Sequence, residues 1–138
     1  MQTMTMMAEH RLSARTAAEK IRHELLAGDI DFAMRILTTA IADFRAAEPS
    51  NRADFLTEPP TTGSLKWDTL LAAVTARECG QLQIPAPTWT ARAPLQREWI
   101  VTTLPHASQA WKDRIKARTP PEFSRLGLWI DPANLETL

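Results

Sequence analysis

Tyrosine is absent from this chain, cysteine occurs once, histidine three times and glycine four times. Each shortage closes a route. A lone Cys79 cannot form an internal disulfide, so the fold cannot rest on covalent staples and suits a reducing compartment. A membrane-spanning helix needs roughly 20 consecutive apolar residues, and no apolar run here is that long. The glycines, Gly28, Gly63, Gly80 and Gly127, are scattered singly and read as turn markers rather than as a loop that cradles phosphate. His10, His23 and His106 fall in no ligand-spaced or nucleophile-activating pattern, so no metal, no cofactor and no catalytic constellation is expected. The opening MQTMTMMAEH lacks the basic n-region and apolar h-region of a secretory signal, and a cytoplasmic protein is expected.

A surplus of charge is missing too: 16 Lys and Arg balance 16 Asp and Glu. Wrapping nucleic acid demands excess cations to neutralise phosphates, which argues against that as the main business of the chain. The balance hides asymmetry. Residues 24–68 carry eight acids against four bases, whereas residues 107–125 carry five bases against two acids, so the two stretches are candidates to attract one another, within the fold or in a partner.

What is present is a globular composition, 44% hydrophobic with five Trp and four Phe, too apolar for disorder. A chain of 138 residues fits one domain and buries about two-thirds of its unfolded surface on folding. Alanine is abundant and Arg outnumbers Lys 12 to 4, as in proteins of GC-rich bacteria. The expected fold is mainly α, a compact bundle of several short helices tied by proline-rich loops, with room for a minor strand pair. A flexible start at 1–12 precedes a single helical domain at 13–138.

The best-defined stretch is Thr61 to Trp89. Ser64 can cap a helix on which Trp67, Leu70, Leu71 and Val74 recur at helical spacing, and Pro85 and Pro87 forbid its continuation. Before it, Thr16 and Glu19 stand at capping-box spacing for a first helix with Ile21, Leu25 and Leu26 as its apolar stripe and Gly28 as its stop. Asp29 and Asp31 then open a second helix, where Phe32, Ile36, Leu37, Ala40, Ile41 and Phe44 share one face. The short link between these helices predicts a hairpin. Pro49 ends the second helix, and Ser50 is placed to cap a short helix through Leu56.

Beyond Trp89, a segment with Trp99, Ile100 and Val101 is bracketed by prolines and fits either a helix or a brief strand. The helical period returns at Ser108 with Trp111 and Ile115. Thr119-Pro120-Pro121-Glu122 has the form of a helix start, with Thr119 as cap and Phe123 and Leu126 as the apolar side, closed by Gly127. Leu128, Trp129 and Ile130 follow as a short apolar run before Asp131 and Pro132 open a last turn.

Cys79, beside Gly80 at a helix end, reads as a small packing residue. The tryptophans are the class with most to offer, because indoles dominate both cores and binding hot spots. Most belong in the core. Trp89 and Trp99, in irregular proline-flanked segments, are the candidates to meet a partner, with Arg92 and Arg97 as nearby cationic anchors. Lys112, Arg114, Lys116 and Arg118 form the only basic run; alternating along a helix they spread over more than one face, as on a solvated surface, but they are also the candidate nucleic-acid contacts.

ADFRAAEPS, EPPTTGSLKWDTLLAAV, IPAPTW and TPPEFSRLGLWIDPANLE together resemble a group of small bacterial domains. That group carries a P-x-T-G-x-x-x-W-D-x-L-L-A motif, a P-x-P-x-W motif and an S/T-P-x-x-F-x-R-x-G ending followed by three apolar residues and Asp. In some members the domain follows a helix-turn-helix domain, in transcriptional regulators or in antitoxins found beside nucleotidyltransferase-like toxins. The similarity spans roughly residues 29–138, so what it implies is the accessory, non-DNA-binding domain, and it transfers no catalytic or binding residue. A single helix before Asp31 cannot supply the three or so helices that a helix-turn-helix domain needs. The expected function is therefore a non-enzymatic protein-binding module, in its most concrete form an antitoxin that neutralises a partner toxin by occlusion. A transcriptional regulator or DNA-binding accessory protein is the alternative, and self-association into a homo-oligomer stays open.

Overall fold

The computed structural model describes residues 11–102 and 106–136, and over them the chain is mainly α, with six α-helices and one pair of short strands. Of the frayed start expected at 1–12, residues 1–10 lie outside the described part. Arg11 and Leu12 are tied to the second helix, Arg11 donating to the Ala46 carbonyl and the Leu12 N–H to the Asp43 carboxylate at 2.8 Å.

Helix α1 (Ala14–Leu26) starts one turn earlier than Thr16 suggests. Ser13 is the cap: its hydroxyl accepts from the Thr16 N–H at 3.2 Å and the Thr16 hydroxyl accepts from the Ser13 N–H at 2.8 Å. Ser-x-x-Thr thus performs the reciprocal capping expected of Thr16 and Glu19, and Glu19 instead meets Arg15 one turn back. At the other end Gly28, at φ +77°, donates to the Leu25 carbonyl while Asp29 donates to that of Glu24. These two bonds satisfy carbonyls that the helix end leaves free, and they turn the chain sharply into α2.

Helix α2 (Ile30–Ala46) is capped by Asp29, whose carboxylate accepts from the Phe32 N–H at 2.9 Å. It packs back on α1 as the expected hairpin. Small residues set the approach: Ala14, Ala17, Ala18 and Ala33 are all buried and let the two backbones close around Ile21, Ile36 and Leu37. The apolar stripes narrow towards the turn, where Leu26 is 81% exposed and Phe32 nearly half exposed, because none of the described residues covers the hairpin tip. A 3-10 turn (Pro49–Asn51) leads into α3 (Arg52–Phe55), and Ser50 makes no cap there.

Helix α4 (Leu65–Gln81) is the axis of the core. Its start is held twice. Ser64 caps the Trp67 N–H, and the Asp68 carboxylate accepts from the Thr61 hydroxyl at 2.6 Å and from both the N–H and the hydroxyl of Thr62 at 2.7 Å. Gly63, at φ +86°, supplies the left-handed turn between them. Trp67, Leu70, Leu71 and Val74 are buried against Ile36, Leu37 and Ile41 of α2, but burial reaches further, to Thr69, Ala72, Ala73, Glu78 and Cys79. Thr69 is accommodated because its hydroxyl donates to the Leu65 carbonyl at 2.8 Å. Each large aliphatic side chain buried here contributes about 1.5–3 kcal/mol.

The segment that fits either helix or strand resolves as a strand: β1 (Trp99–Ile100) pairs in parallel with β2 (Leu128–Trp129), Trp99 opposite Leu128 and Ile100 opposite Trp129. Between them lie α5 (Gln109–Arg118), capped by Ser108, and α6 (Pro121–Ser124), which form the crossover that a parallel pair requires. Pro120, not Thr119, occupies the cap position of α6. The Thr119 hydroxyl donates to the Ile115 carbonyl at 2.7 Å and accepts from the Ile130 N–H at 3.0 Å, joining the end of α5 to the chain after β2. Phe123, Leu126, Leu128 and Ile130 complete the main core, and a last 3-10 turn (Pro132–Leu135), capped by Asp131, buries Leu135.

The expected attraction between residues 24–68 and 107–125 is not how the charges pair. Among the described residues the ion pairs are Arg15–Glu19, Arg45 with Glu78 and Glu136, Arg77–Glu122, Lys116–Glu98 and Arg118–Asp131, none of which joins the two stretches. No helix of the described residues is long and apolar enough to cross a membrane.

Candidate functional site

After α4 the chain leaves the core at Pro85 and Pro87, makes a 3-10 turn (Thr88–Thr90) and then runs without regular structure from Ala91 to Glu98, bending at Gln96 and Arg97. Three backbone bonds pin this loop: Leu95 donates to the Leu126 carbonyl at 3.0 Å, Trp99 to Gly127 at 2.8 Å and Val101 to Trp129 at 2.8 Å. Gly127 is called for by its φ of +79°; Leu95 and Glu98 atoms lie 3.5–3.6 Å from where a Cβ would stand, which is ordinary contact. This loop and the first turn of α4 leave between them an open groove of about 590 Å³. Leu65 and Lys66 form one wall and Arg92, Pro94, Arg97 and Trp99 the other.

Three of the four proposed partner contacts therefore meet in one place. Trp99 is half-buried, with its ring tilted at 55° against Trp67 at a centroid distance of 5.5 Å, and the Lys66 ammonium stands 5.1 Å from its centroid. Arg92 and Arg97 are exposed and make no ion pair or side-chain hydrogen bond among the described residues. Trp89 does not join them. Its indole N–H donates to the Leu56 carbonyl at 2.8 Å, so it anchors the loop to the end of α3 and works as a structural pin.

No protein-family model matches the chain, and no curated protein or solved structure is found to be similar to it. The side-chain geometry is thus the guide to function.

Two of the four basic residues on α5 are paired within the fold. Lys116 lies 3.6 Å from Glu98 and 5.3 Å from the Trp129 ring centroid, and Arg118 meets Asp131 at 3.1 Å. Lys112 is half-buried and lines a notch with His106, while Arg114 is exposed. The most exposed tryptophan is Trp111 of α5, at 37%. Trp129 donates to Glu98 at 2.7 Å, and this bond and Lys116 hold the Glu98 carboxyl below its usual range.

Cys79 is fully buried, and burial, reinforced by the neighbouring Glu78 charge, pushes its thiol pKa up, away from the thiolate a nucleophile needs. Among the described residues no group of three His, Cys, Asp or Glu is arranged to hold a metal ion. An apolar void of about 40 Å³ between α2, α3 and α4 is bounded by side chains such as Ile41, Phe44 and Val74 and is too small for an organic ligand.

Sequence reasoning missed Leu65, Lys66 and Arg125 as surface features of this face. Leu65 was detectable: it falls off the stripe defined by Trp67, Leu70, Leu71 and Val74, and it is 65% exposed. Arg125 lines a second groove, which has Arg92 and Pro94 in common with the first.

Proposed function

We propose that the protein is a non-enzymatic protein-binding module acting in the cytoplasm, and that its concrete role is antitoxin-like: it neutralises a partner toxin by covering a functional surface. The observation that carries this reading is the convergence of Arg92, Arg97 and Trp99 on one open groove, with both guanidinium groups unpaired among the described residues. Arginine and tryptophan are the side chains that dominate binding energy at protein interfaces, and they do so where they flank an apolar floor such as Leu65 and Pro94 provide. The Trp67 contact beneath Trp99 holds its ring in place before binding, which lowers the ordering cost of association. Similarity of the P-x-T-G and P-x-P-x-W motifs to accessory domains of antitoxins supports the same reading.

Contact with nucleic acid through α5 finds less support, because Lys116 and Arg118 are already paired with Glu98 and Asp131. Co-expression with the product of each flanking gene tests the proposal. Relief of a growth arrest caused by one of those products, together with co-elution of the two chains in size-exclusion chromatography, is the expected result. Absence of a stable complex with either neighbour overturns the antitoxin role.

A further inference from the structure

We infer that the occupant of the groove is an extended, acidic segment of a partner protein carrying an apolar anchor residue. This inference rests on the binding-module reading and specifies the chemistry of what is bound. The two grooves lie on either side of Arg92 and Pro94, which line both. Together they carry four cations, Lys66, Arg97, Arg92 and Arg125, against one carboxylate, Glu98. In a chain of zero net charge this is a local excess of three positive charges. Glu98 does little to offset it, being engaged by the Trp129 indole at 2.7 Å and by Lys116 at 3.6 Å. Arg92, Arg97 and Arg125 have no carboxylate partner among the described residues.

Apolar residues line the grooves between the cations, Leu65, Pro94 and Leu95 in the first and Leu126 in the second. Cations interspersed with apolar surface suit an extended acidic peptide, whose side chains alternate between the groove and solvent. A single nucleic-acid strand is disfavoured, because it stacks successive bases on several aromatic faces, and among the described residues Trp99 is the one aromatic side chain that lines these grooves.

Fluorescence anisotropy with the full-length chain tests the inference, using a labelled peptide that alternates glutamate pairs with leucine. A peptide with lysine in place of glutamate and a labelled oligo-dT of matched charge serve as comparisons. The acidic peptide is expected to bind, the basic one not to bind, and the oligonucleotide to bind more weakly than the acidic peptide. Reversal of two groove charges in Arg92→Glu/Arg97→Glu weakens peptide binding by about tenfold or more, and Arg125→Glu weakens it less. The exposed Arg22→Glu on α1, outside both grooves, leaves it unchanged. Equal affinity for the acidic and basic peptides, tighter binding of the oligonucleotide, or indifference to the double reversal overturns the inference. If the peptide fails to bind but a flanking-gene product still forms a complex that Arg97→Glu disrupts, the acidic-segment inference falls and the module reading stands. If the peptide binds and no such complex forms, the antitoxin role falls and the groove chemistry stands.

Discussion

The Trp99 ring leans on Trp67 at 5.5 Å between centroids, so the residue proposed to meet a partner also seals the outer edge of the core at the start of α4. Trp67 is almost fully buried and Trp99 half-buried. Trp99→Ala removes the tilted aromatic contact and opens Trp67 to water, and we expect a loss of about 2 kcal/mol in chemical denaturation. Trp99→Phe keeps a ring against Trp67 and should lose less than half of that. Equal loss in the two variants would show that the contact is not what the ring contributes.

Arg45 of α2 and Glu78 of α4 form a two-bond pair, Nε to Oε1 at 2.7 Å and Nη2 to Oε2 at 3.0 Å, with the Glu78 side chain only 3% exposed. Both carboxylates that meet Arg45, Glu78 first and Glu136 second, raise its pKa, so it stays charged at any accessible pH. Arg45→Ala leaves the Glu78 charge buried without its cation and is expected to cost about 2–3 kcal/mol, a value reduced for the partial exposure of Arg45. The double change Arg45→Met/Glu78→Leu should recover most of it, since no charge is then stranded. Urea denaturation of the two variants checks the order; a double variant less stable than Arg45→Ala contradicts it.

Acid should weaken the C-terminal turn. The Ala133 N–H, and then Arg118, hold Asp131 below its usual 3.8, and Arg45 holds Glu136 below its usual 4.5. A carboxyl with a depressed native pKa contributes stability above its unfolded value and loses it as pH falls through the native value. The melting temperature is therefore expected to be flat from neutral pH to about 5 and to fall below about 4. Asp131→Asn and Glu136→Gln should each flatten that acid slope. A slope unchanged in both variants would place the acid sensitivity elsewhere.

Cys79 gives a direct probe of core integrity. It is wholly buried and its thiol pKa is raised by burial, so a thiol reagent should label it only as fast as the chain opens. Labelling of the native protein at neutral pH is expected to be slower by orders of magnitude than in urea. Rapid native labelling would contradict the packing described for the end of α4.

Local chemistry explains which parts of the fold could be read from the sequence. Caps at Asp29, Ser64 and Ser108 and stops at Gly28 and Pro49 act through the nearest few residues, so they are visible without tertiary information. Ser13 replaced Thr16 as the first cap because two overlapping motifs compete there and only the backbone geometry chooses between them. Thr119 was misassigned for a related reason: its hydroxyl is drawn to the Ile115 carbonyl and the Ile130 N–H, and the second of these partners is eleven residues away. The parallel pairing of Trp99 with Leu128 depends on a crossover and leaves no short-range signature.

The candidate site divides in the same way. Arg92, Arg97 and Trp99 stood out as bulky or charged residues in a proline-flanked stretch, and they do converge. Trp89 shared that local pattern, yet its indole is spent on Leu56, 33 residues earlier in the chain. Leu65, Lys66 and Arg125 join the face from α4 and from the end of α6, and only folding brings them alongside the loop.

Binding of a protein partner at this loop face, as proposed, is read out by titrating the co-eluting flanking-gene product into the wild-type chain and into Arg92→Glu/Arg97→Glu. Circular dichroism of the double variant confirms that it is folded. We predict a stable complex for the wild type and an affinity at least about tenfold lower for the double variant, a difference of about 1.4 kcal/mol or more. Unchanged affinity in a folded double variant would rule the loop face out as the binding surface.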